Sequence, residues 1–384
     1  GISGVERFFD DNLNNKNKLK SPLQLTLDSN LQHLIREELI KAQTDFQSIG
    51  SGAILMEVDS GNILSLISLP DYDLNKRVSI NKKIYSNKIT LDVYEFGSVF
   101  KTFTIAAALE NNVVQPNTIF KNLENSLKCD KYKISEHDKL PKNLSTEQIL
   151  IRSSNIGAIR IAQKVGIKKY KNFLNSLEIF DKIKFDLEEI GEPLPFRWGK
   201  CKLATSSYGH GVTTTPLQLA KAYAILGNGG YKIRPSILKL ENNSLQENER
   251  IISNTTSNEI NLMLRKVVSL NEGTANFANI KGYDVGGKTG TAVKYGSNAK
   301  LNTFVALFPA SKPKYVLLVM LDEPKAAPNF VYEFPPSEKF PNGYKYKGET
   351  RNTSGWNTVV VAGKIIEKIG PILAINSLEA SKKF

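Results

Sequence analysis

Cysteine and histidine are both scarce in this chain of 384 residues. It contains two cysteines, Cys129 and Cys201, which are far apart in the sequence, and three scattered histidines, His33, His137 and His210. Two cysteines cannot form the several bridges of a disulfide-rich scaffold, and none of these residues shows the spacing of a zinc site. The sequence therefore predicts neither a disulfide framework nor a metal cluster.

Long hydrophobic runs are also missing. No stretch of about 18 consecutive apolar residues occurs, so this sequence predicts neither a transmembrane helix nor a signal peptide. The chain begins with Gly-Ile-Ser-Gly and no Met, which is typical of a segment from inside a longer protein. We therefore expect further sequence upstream of Gly1.

Acidic residues are outnumbered by basic ones. The 51 Lys and Arg residues exceed the 38 Asp and Glu residues, giving a net charge of +13. A basic balance suits nucleic acid, an anionic membrane surface or an acidic polymer. No run of five or six consecutive basic residues and no nucleic-acid-binding motif occurs. The sequence therefore predicts no nucleic-acid partner, and its ordinary apolar content predicts a globular chain with a large core.

Hydrophobic patterning predicts strands at both ends of the chain and helices in the middle. Two apolar runs flank Asp59-Ser60-Gly61-Asn62, which predicts a hairpin, and Ser29 with Gln32 forms a capping-box pattern. The predicted helices are Asn30–Gln43, Ser98–Leu109, a stretch capped by Ser145 and Gln148, Pro216–Leu226 and Asn357–Ile369. The predicted strands are Ala53–Val58, Ile63–Leu69, Tyr283–Val285, Thr289–Val293, Thr303–Phe308 and Tyr315–Leu321. This order favours an α+β fold, an α/β sandwich in which helices cover both faces of an antiparallel sheet and a helical subdomain is inserted between the sheet's two parts.

The segment from Glu95 to Lys101 is a candidate nucleophile site. If Ser98 opens a helix after Gly97, then Ser98 and Lys101 lie on one face of that helix. A serine hydroxyl needs a nearby base, and a desolvated lysine with a lowered pKa can serve. Alone, this Ser-x-x-Lys pattern is weak evidence, because an exposed helical Ser and Lys would look the same.

Two further motifs follow in a fixed order. Ser153-Ser154-Asn155 lies in a capped helical stretch, and Lys288-Thr289-Gly290-Thr291 lies on a predicted strand. Each alone also fits a helix break or a glycine-rich turn. Together with Ser-x-x-Lys they form the ordered set known from serine β-lactamases and penicillin-binding proteins, with Ser154 in place of the aspartate of Ser-Asp-Asn.

This combination resembles the transpeptidase domain of class B penicillin-binding proteins over about residues 21–375. Supporting stretches are Leu25–Ser29, Leu69–Asn75, Tyr208–Gly211 and Thr215–Ala220. The segment Thr353–Asn357 and the helix after it resemble the division-specific, septal synthase more than the elongation enzyme. The resemblance implies a penicillin-binding transpeptidase fold over 21–384, with a helical subdomain at roughly 75–270. Residues 1–20 are then a linker or the tail of a preceding pedestal domain.

The resemblance also implies a role for each motif residue. Ser98 attacks the donor peptide, Lys101 accepts the proton, and backbone N–H groups of Ser98 and Thr291 form the oxyanion hole. Ser153 relays a proton to the leaving group, and Asn155 holds the donor's amide. The terminal carboxylate is bound by Lys288, Thr289 and Thr291, on either side of Gly290. No metal or organic cofactor is required.

The implied substrates are peptidoglycan stem peptides ending in D-Ala-D-Ala, and β-lactams would acylate Ser98. A membrane glycosyltransferase and other cell-division proteins are the implied partners. The implied location is the bacterial inner membrane, with one N-terminal anchor upstream of Gly1 and the catalytic domain in the periplasm.

Two other classes of function share these motifs. A β-lactamase or D,D-carboxypeptidase would perform the same acylation with water as acceptor. No Glu-bearing loop motif typical of class A β-lactamases is evident, although Glu188, Glu189 and Glu192 lie between the second and third motifs. A β-lactam sensor or a non-catalytic division scaffold is the other alternative, and the complete motif set argues against a scaffold.

Overall fold

The computed structural model describes residues 4–14, 22–73, 86–130, 132–239, 246–334 and 341–381. The helices are α1 (Gly4–Phe8), α2 (Asp10–Asn14), α3 (Ser29–Asp45), α4 (Phe100–Glu110), α5 (Thr146–Ile151), α6 (Asn155–Val165), α7 (Ile167–Ser176), α8 (Lys202–Ser206), α9 (Pro216–Gly227), α10 (Asn254–Ser269) and α11 (Thr358–Ser381). The strands are β1 (Gly50–Glu57), β2 (Ile63–Leu69), β3 (Tyr94–Glu95), β4 (Ile119–Phe120), β5 (Ser126–Cys129), β6 (Tyr132–Ser135), β7 (Leu144–Ser145), β8 (Thr213–Thr214), β9 (Tyr231–Ile233), β10 (Gln246–Arg250), β11 (Gly286–Val293), β12 (Lys300–Phe308), β13 (Tyr315–Asp322), β14 (Tyr332–Phe334) and β15 (Tyr344–Tyr346). Short 3₁₀ turns cover Gly97–Val99, Asn276–Ala278 and Ser354–Trp356.

A five-stranded antiparallel sheet, in the order β11-β12-β13-β1-β2, forms the centre of the fold. The predicted hairpin joins β1 to β2, and Gly52 of β1 pairs with Met320 of β13. Every residue of β13 is buried, because helices cover the sheet. Helices α3 and α11 pack together and against it, while α9 contacts β1, β12 and β13. The chain therefore has the predicted α+β sandwich, with strands from both ends of the sequence in one sheet.

The chain between β2 and β11 carries α4 to α10, as the predicted insertion requires. Helix α4 is buried along almost its whole length and packs against α6, α7 and α10. Strand β11 forms one edge of the sheet and contacts the turn Gly97–Val99 that precedes α4. This contact places the start of the buried helix α4 beside an edge strand. The limits proposed for the helical subdomain and the division at residue 20 stay predictions.

Part of the segment predicted as a linker is helical. Residues 4–14 contain α1 and α2. The Gly4 N–H donates to the Glu189 carboxylate at 2.8 Å, and Arg7 pairs with Glu188 at 3.0 Å. These contacts attach the two short helices to the loop that follows α7. Within the described ranges, no helix has the length and apolar character needed to cross a bilayer.

The cap predicted for the first long helix is wrong. The Asp28 carboxylate, and not the Ser29 hydroxyl, accepts hydrogen bonds from two N–H groups of the first turn of α3. The Gln32 amide bonds instead to the backbone of Leu66 on β2, at 2.8 and 3.0 Å. The Gln32 side chain is therefore bound to the sheet and cannot form the capping box with Ser29. By contrast, the predicted capping box of Ser145 and Gln148 at the start of α5 is present.

Two other predicted limits differ from the structure. Residues Tyr283–Val285, predicted as a strand, precede β11 without joining the sheet. The Val285 carbonyl accepts a hydrogen bond from Arg265 at 3.0 Å. The last helix continues past its predicted end at Ile369 and through Pro371, and Leu373 in the added turn is buried in the core. Core packing thus extends a helix that proline would be expected to end.

Cys129 and Cys201 form a disulfide bridge across a sequence separation of 72 residues. No feature of the sequence indicated this pairing. The bridge joins the end of β5 to the residue that immediately precedes α8. It therefore ties the β5–β6 hairpin to a distant part of the helical region.

Candidate active site

Ser98 lies in a tight turn at the start of α4. Gly97 has a φ of +59°, a conformation that favours glycine. The space beside this turn is also restricted, because a Cβ atom on Gly97 would lie 2.8 Å from the Thr291 carbonyl oxygen. A Cβ atom on Gly209 would in turn lie 2.2 Å from the Gly97 carbonyl oxygen. The Gly97–Ser98 backbone is therefore held between β11 and the loop after α8.

Lys101 lies one turn further along and is fully buried. Its Nζ atom is 3.0 Å from Ser98 Oγ, as the three-residue spacing predicts. The same atom lies 2.5 Å from the Ser153 carbonyl oxygen and 3.1 Å from Ser153 Oγ. Burial lowers the pKa of Lys101 to about 7, with the negative charge of Glu136 acting in the opposite direction. A neutral amine close to the serine hydroxyl is thus available near neutral pH.

The second motif lies between α5 and α6. Ser153 has a φ of +59°, a rare conformation for a residue with a side chain, and its carbonyl and hydroxyl oxygens both contact Lys101. Ser154 is the N-cap of α6, accepting from the Gly157 N–H at 2.8 Å. The Asn155 amide donates to the Ser135 carbonyl at 2.9 Å, and Asn155 Oδ1 is buried without a partner among the described residues.

Lys288, on β11, contacts the same serine from the opposite side. Its Nζ atom is fully buried and lies 2.9 Å from Ser153 Oγ. Burial, and next the nearby charge of Lys101, hold the pKa of Lys288 well below its usual value. The structure thus brings Ser98, Lys101, Ser153 and Lys288 into one hydrogen-bonded cluster, although they come from three distant parts of the sequence.

The rest of the third motif borders this cluster. Thr289 Oγ1 lies 2.8 Å from Thr274 Oγ1 and 3.3 Å from Lys288 Nζ. Thr291 Oγ1 accepts from the Ser354 N–H at 3.1 Å. A Cβ atom on Gly290 would lie 2.3 Å from the Phe96 carbonyl oxygen, so this position requires glycine. All the residues that the three motifs single out therefore lie in or beside one site.

No sequence pattern indicated Glu136, which follows β6 directly and also borders the site. Its carboxylate accepts from the Ser154 hydroxyl at 2.6 Å and from the Asn155 and Ile156 N–H groups at 2.7 and 2.9 Å. Glu136 lies 18 to 20 residues from these donors, so no local spacing rule indicates it. Within the described part of the chain, no group of three or more His, Cys, Asp or Glu side chains is arranged to hold a metal ion.

Known proteins are similar to this chain in sequence and architecture. Residues 51–333 match the family described as "Penicillin binding protein transpeptidase domain". A Caulobacter vibrioides protein named "Probable peptidoglycan D,D-transpeptidase FtsI" is 32% identical over 98% of this chain and 63% of its own length. The Escherichia coli protein named "Peptidoglycan D,D-transpeptidase FtsI" is 29% identical over 79% of this chain and 52% of its own length. This chain thus spans about one half to two thirds of these relatives.

A solved structure has the same fold. The transpeptidase domain of Burkholderia pseudomallei penicillin-binding protein 3, solved in its apo form, superposes with a TM-score of 0.75 at 26% sequence identity. The match covers 91% of this chain and 96% of that domain. The predicted penicillin-binding transpeptidase fold is therefore confirmed.

Proposed function

This chain belongs to the penicillin-binding protein transpeptidase family, and on that basis we propose that it is a serine D,D-transpeptidase that cross-links peptidoglycan stem peptides. The observation that carries the proposal is the position of Lys101, whose Nζ atom contacts both Ser98 Oγ and Ser153 Oγ. A buried amine with a pKa of about 7 is suited to remove the proton from a serine nucleophile.

In the first half-reaction, Ser98 Oγ forms a bond to the penultimate D-Ala carbonyl carbon while its proton moves to Lys101. The tetrahedral intermediate then collapses and the bond to the terminal D-Ala nitrogen breaks. Ser153 Oγ, placed between Lys101 and Lys288, passes a proton to that nitrogen. The products of this step are free D-Ala and an ester between the donor peptide and Ser98.

Backbone N–H groups of Ser98 and Thr291 are the proposed oxyanion hole. In an antiparallel strand, the N–H and C=O of one residue point to the same side. The Thr291 carbonyl lies against Gly97, so the Thr291 N–H also points towards the nucleophile turn. Removing one such donor typically slows acyl transfer by about 10²–10³.

The donor's terminal carboxylate would lie along β11. Lys288, Thr289 and Thr291 supply one buried amine and two hydroxyl groups on either side of Gly290. The unpartnered Asn155 Oδ1 is available to accept from a donor amide N–H. In the second half-reaction, an amine from a neighbouring stem attacks the ester, releasing Ser98 and forming the cross-link.

We further propose that this activity serves septal cell-wall synthesis during division, because Thr353–Asn357 and the helix after it resemble the division-specific synthase. The site would then face the periplasm, where the Cys129–Cys201 bridge is stable. A membrane glycosyltransferase and other division proteins are the proposed partners, and an upstream anchor remains a prediction.

Two of the three glutamates considered for a hydrolase, and also Glu136 beside the site, are engaged in other contacts. Glu188 and Glu189 contact the N-terminal helices, and both carboxylate oxygens of Glu136 accept hydrogen bonds from α6 or its cap. These contacts favour the transferase over a β-lactamase that uses a glutamate to activate water.

The test is the intact mass of the protein after incubation with benzylpenicillin, followed by peptide mapping. One added penicilloyl group on Ser98 is expected, and Ser98→Ala should fold normally without labelling. Incubation with a D-Ala-D-Ala donor peptide and an amine acceptor should then yield the transpeptidation product. An adduct on Ser153 or Ser154, or no adduct, would overturn the assignment.

A further inference from the structure

Glu136 connects the second motif to a structural element that contains none of the three motifs. It follows β6, and its N–H donates to the Asn125 carbonyl at 3.0 Å. Its carboxylate accepts three hydrogen bonds of 2.6 to 2.9 Å from Ser154, Asn155 and Ile156. Two side chains therefore cap the N–H groups in the first turn of α6: the Ser154 hydroxyl and the Glu136 carboxylate. An anion at the N-terminus of a helix is further stabilised by the helix dipole.

We propose that Glu136 is a positioning residue for acyl transfer: it fixes the segment that presents Ser153 and Asn155, and it supplies the negative charge that faces Lys101. This role rests on the function proposed above. Glu136 is not itself a proton acceptor for the substrate, because both its oxygens already accept from protein donors.

The first part of the role is geometric. Ser153 directly precedes Ser154, whose hydroxyl donates to Glu136. The backbone of Ser153 adopts a left-handed conformation with a φ of +59°. Such a conformation persists only when the surrounding structure holds it. Lys101 stabilises this conformation through its hydrogen bonds with Ser153 itself. Glu136 stabilises it through its hydrogen bonds with the three residues that follow Ser153. Asn155 is fixed further by its amide contact with Ser135 on the same hairpin.

The second part is electrostatic. Three other ionisable groups interact with Lys101 or share its hydrogen-bond partner: Lys288 on β11, His137 next to Glu136, and Glu136 itself. Lys288 and His137 are basic side chains that are either neutral or positive, so neither can offset a positive charge on Lys101. Glu136 alone among them carries a negative charge, and it raises the pKa of Lys101 against the larger effect of burial. It thereby raises the pH at which Lys101 becomes a base, although burial has the larger effect.

The position of Glu136 depends on contacts far from the motifs. The β5–β6 hairpin presents it, and the bridge between Cys129 and Cys201 anchors that hairpin beside α8. Lys200 and Asp130 add a salt bridge of 3.1 Å across the same junction. The Glu136 carboxylate is therefore positioned by the anchored β5–β6 hairpin as well as by its hydrogen bonds with the start of α6.

The two parts of the role separate experimentally in Glu136→Gln and Glu136→Asp. The measurement is the second-order rate constant of acylation by benzylpenicillin as a function of pH. The acid limb of this profile, where the rate constant falls as the pH is lowered, reports the pKa of the base in the free enzyme. Glu136→Gln removes the charge, so the limb should move to lower pH than in the wild type. Glu136→Asp keeps the charge but is too short for all three hydrogen bonds. Its plateau should fall by about tenfold or more, since bonds to charged groups are the stronger ones.

Glu147→Gln is the matched control, because Glu147 lies in the first turn of the neighbouring helix α5 and pairs with Lys266. Its limb and plateau should match the wild type. A Glu136→Gln limb at the wild-type pH would overturn the electrostatic role, and a wild-type plateau in Glu136→Asp would overturn the geometric role. If Glu136→Gln does not fold, Glu136→Asp still decides the geometric role, and a wild-type plateau in that variant would refute the positioning of Ser153 and Asn155 by Glu136. A wild-type enzyme that is not acylated at Ser98 would instead refute the proposed function.

Discussion

The hydroxyl oxygen of Ser153 lies 2.9 Å from the Nζ atom of Lys288. On its other side, the same oxygen lies 3.1 Å from Lys101 Nζ. Two buried amines around one hydroxyl cannot both be charged without a large cost, because each is desolvated and each repels the other. Burial lowers the pKa of both amines, and the charge of Lys101 lowers that of Lys288 further. This arrangement allows a proton to move between Lys101, the Ser153 hydroxyl and Lys288.

The first prediction concerns the pH dependence of acylation. Lys101 must be neutral to act as a base, and its pKa is about 7. The rate of acylation should therefore be low in acid, rise as the pH passes through about 7, and level off above that. The measurement is the rate of benzylpenicillin labelling between pH 5 and pH 9. A rate that is independent of pH across this range would contradict the assignment.

Replacing the base itself gives the second prediction. Lys101→Arg should fold but acylate at least about a hundredfold more slowly, because arginine keeps the charge and does not deprotonate. The matched control is Lys221→Arg, since Lys221 is a buried lysine that pairs with Glu178 away from the site. Stopped-flow labelling of both variants at pH 8 measures the difference. Near-normal acylation by Lys101→Arg would exclude Lys101 as the proton acceptor.

The third prediction concerns the glycine loop beside the nucleophile. Gly209 has a φ of +80°, and a Cβ atom there would lie 2.2 Å from the Gly97 carbonyl oxygen. Gly209→Ala should therefore displace the turn that carries Ser98 and slow acylation. Gly282→Ala is the control for backbone strain alone, because Gly282 has a φ of +87° and a Cβ atom added there would meet no other atom within 4 Å. Both variants should lose some thermal stability, but only Gly209→Ala should lose acylation rate.

The disulfide bridge provides the fourth prediction. Reduction of the bond between Cys129 and Cys201 should lower the free energy of unfolding by about 2–4 kcal/mol, mainly because the bridge restricts the unfolded chain. Urea titrations with and without dithiothreitol measure this difference. In Cys201→Ser the reductant should have no effect, which controls for its other actions. Identical wild-type curves would mean that the bridge does not contribute.

The lifetime of the penicilloyl adduct is the fifth prediction. A transpeptidase must protect its acyl-enzyme from water until an amine arrives, so the adduct on Ser98 should survive for minutes to hours. By transition-state arithmetic, a half-life near one hour corresponds to a barrier of about 22 kcal/mol, against about 13 for a hydrolase turning over about 10³ times per second. Intact mass after rapid desalting follows the decay. Loss of the adduct within a second, with multiple turnovers, would identify a β-lactamase.

Elements specified by nearby residues were predictable from the sequence. The hairpin between β1 and β2 follows from two apolar runs around Asp59–Asn62. Helix α9 begins with Thr215 as its cap and Pro216 in its first turn, and both are local signals. The contact between Ser98 and Lys101 follows from helical spacing, once the turn at Gly97 starts the helix. In each case the interacting groups are a few residues apart, so chain geometry alone brings them together.

Contacts between distant residues were decided only by the tertiary structure. The sequence contains Ser153 and Lys288 as members of recognisable motifs, but the 2.9 Å between them depends on β11 lying at the sheet edge beside α4. Glu136 and the pairing of Cys129 with Cys201 had no signal at all. Even the cap of α3 was decided by the packing of Gln32 against the sheet. Chain geometry fixes groups separated by one turn, whereas groups separated by tens of residues meet only where burial of the core brings their elements together.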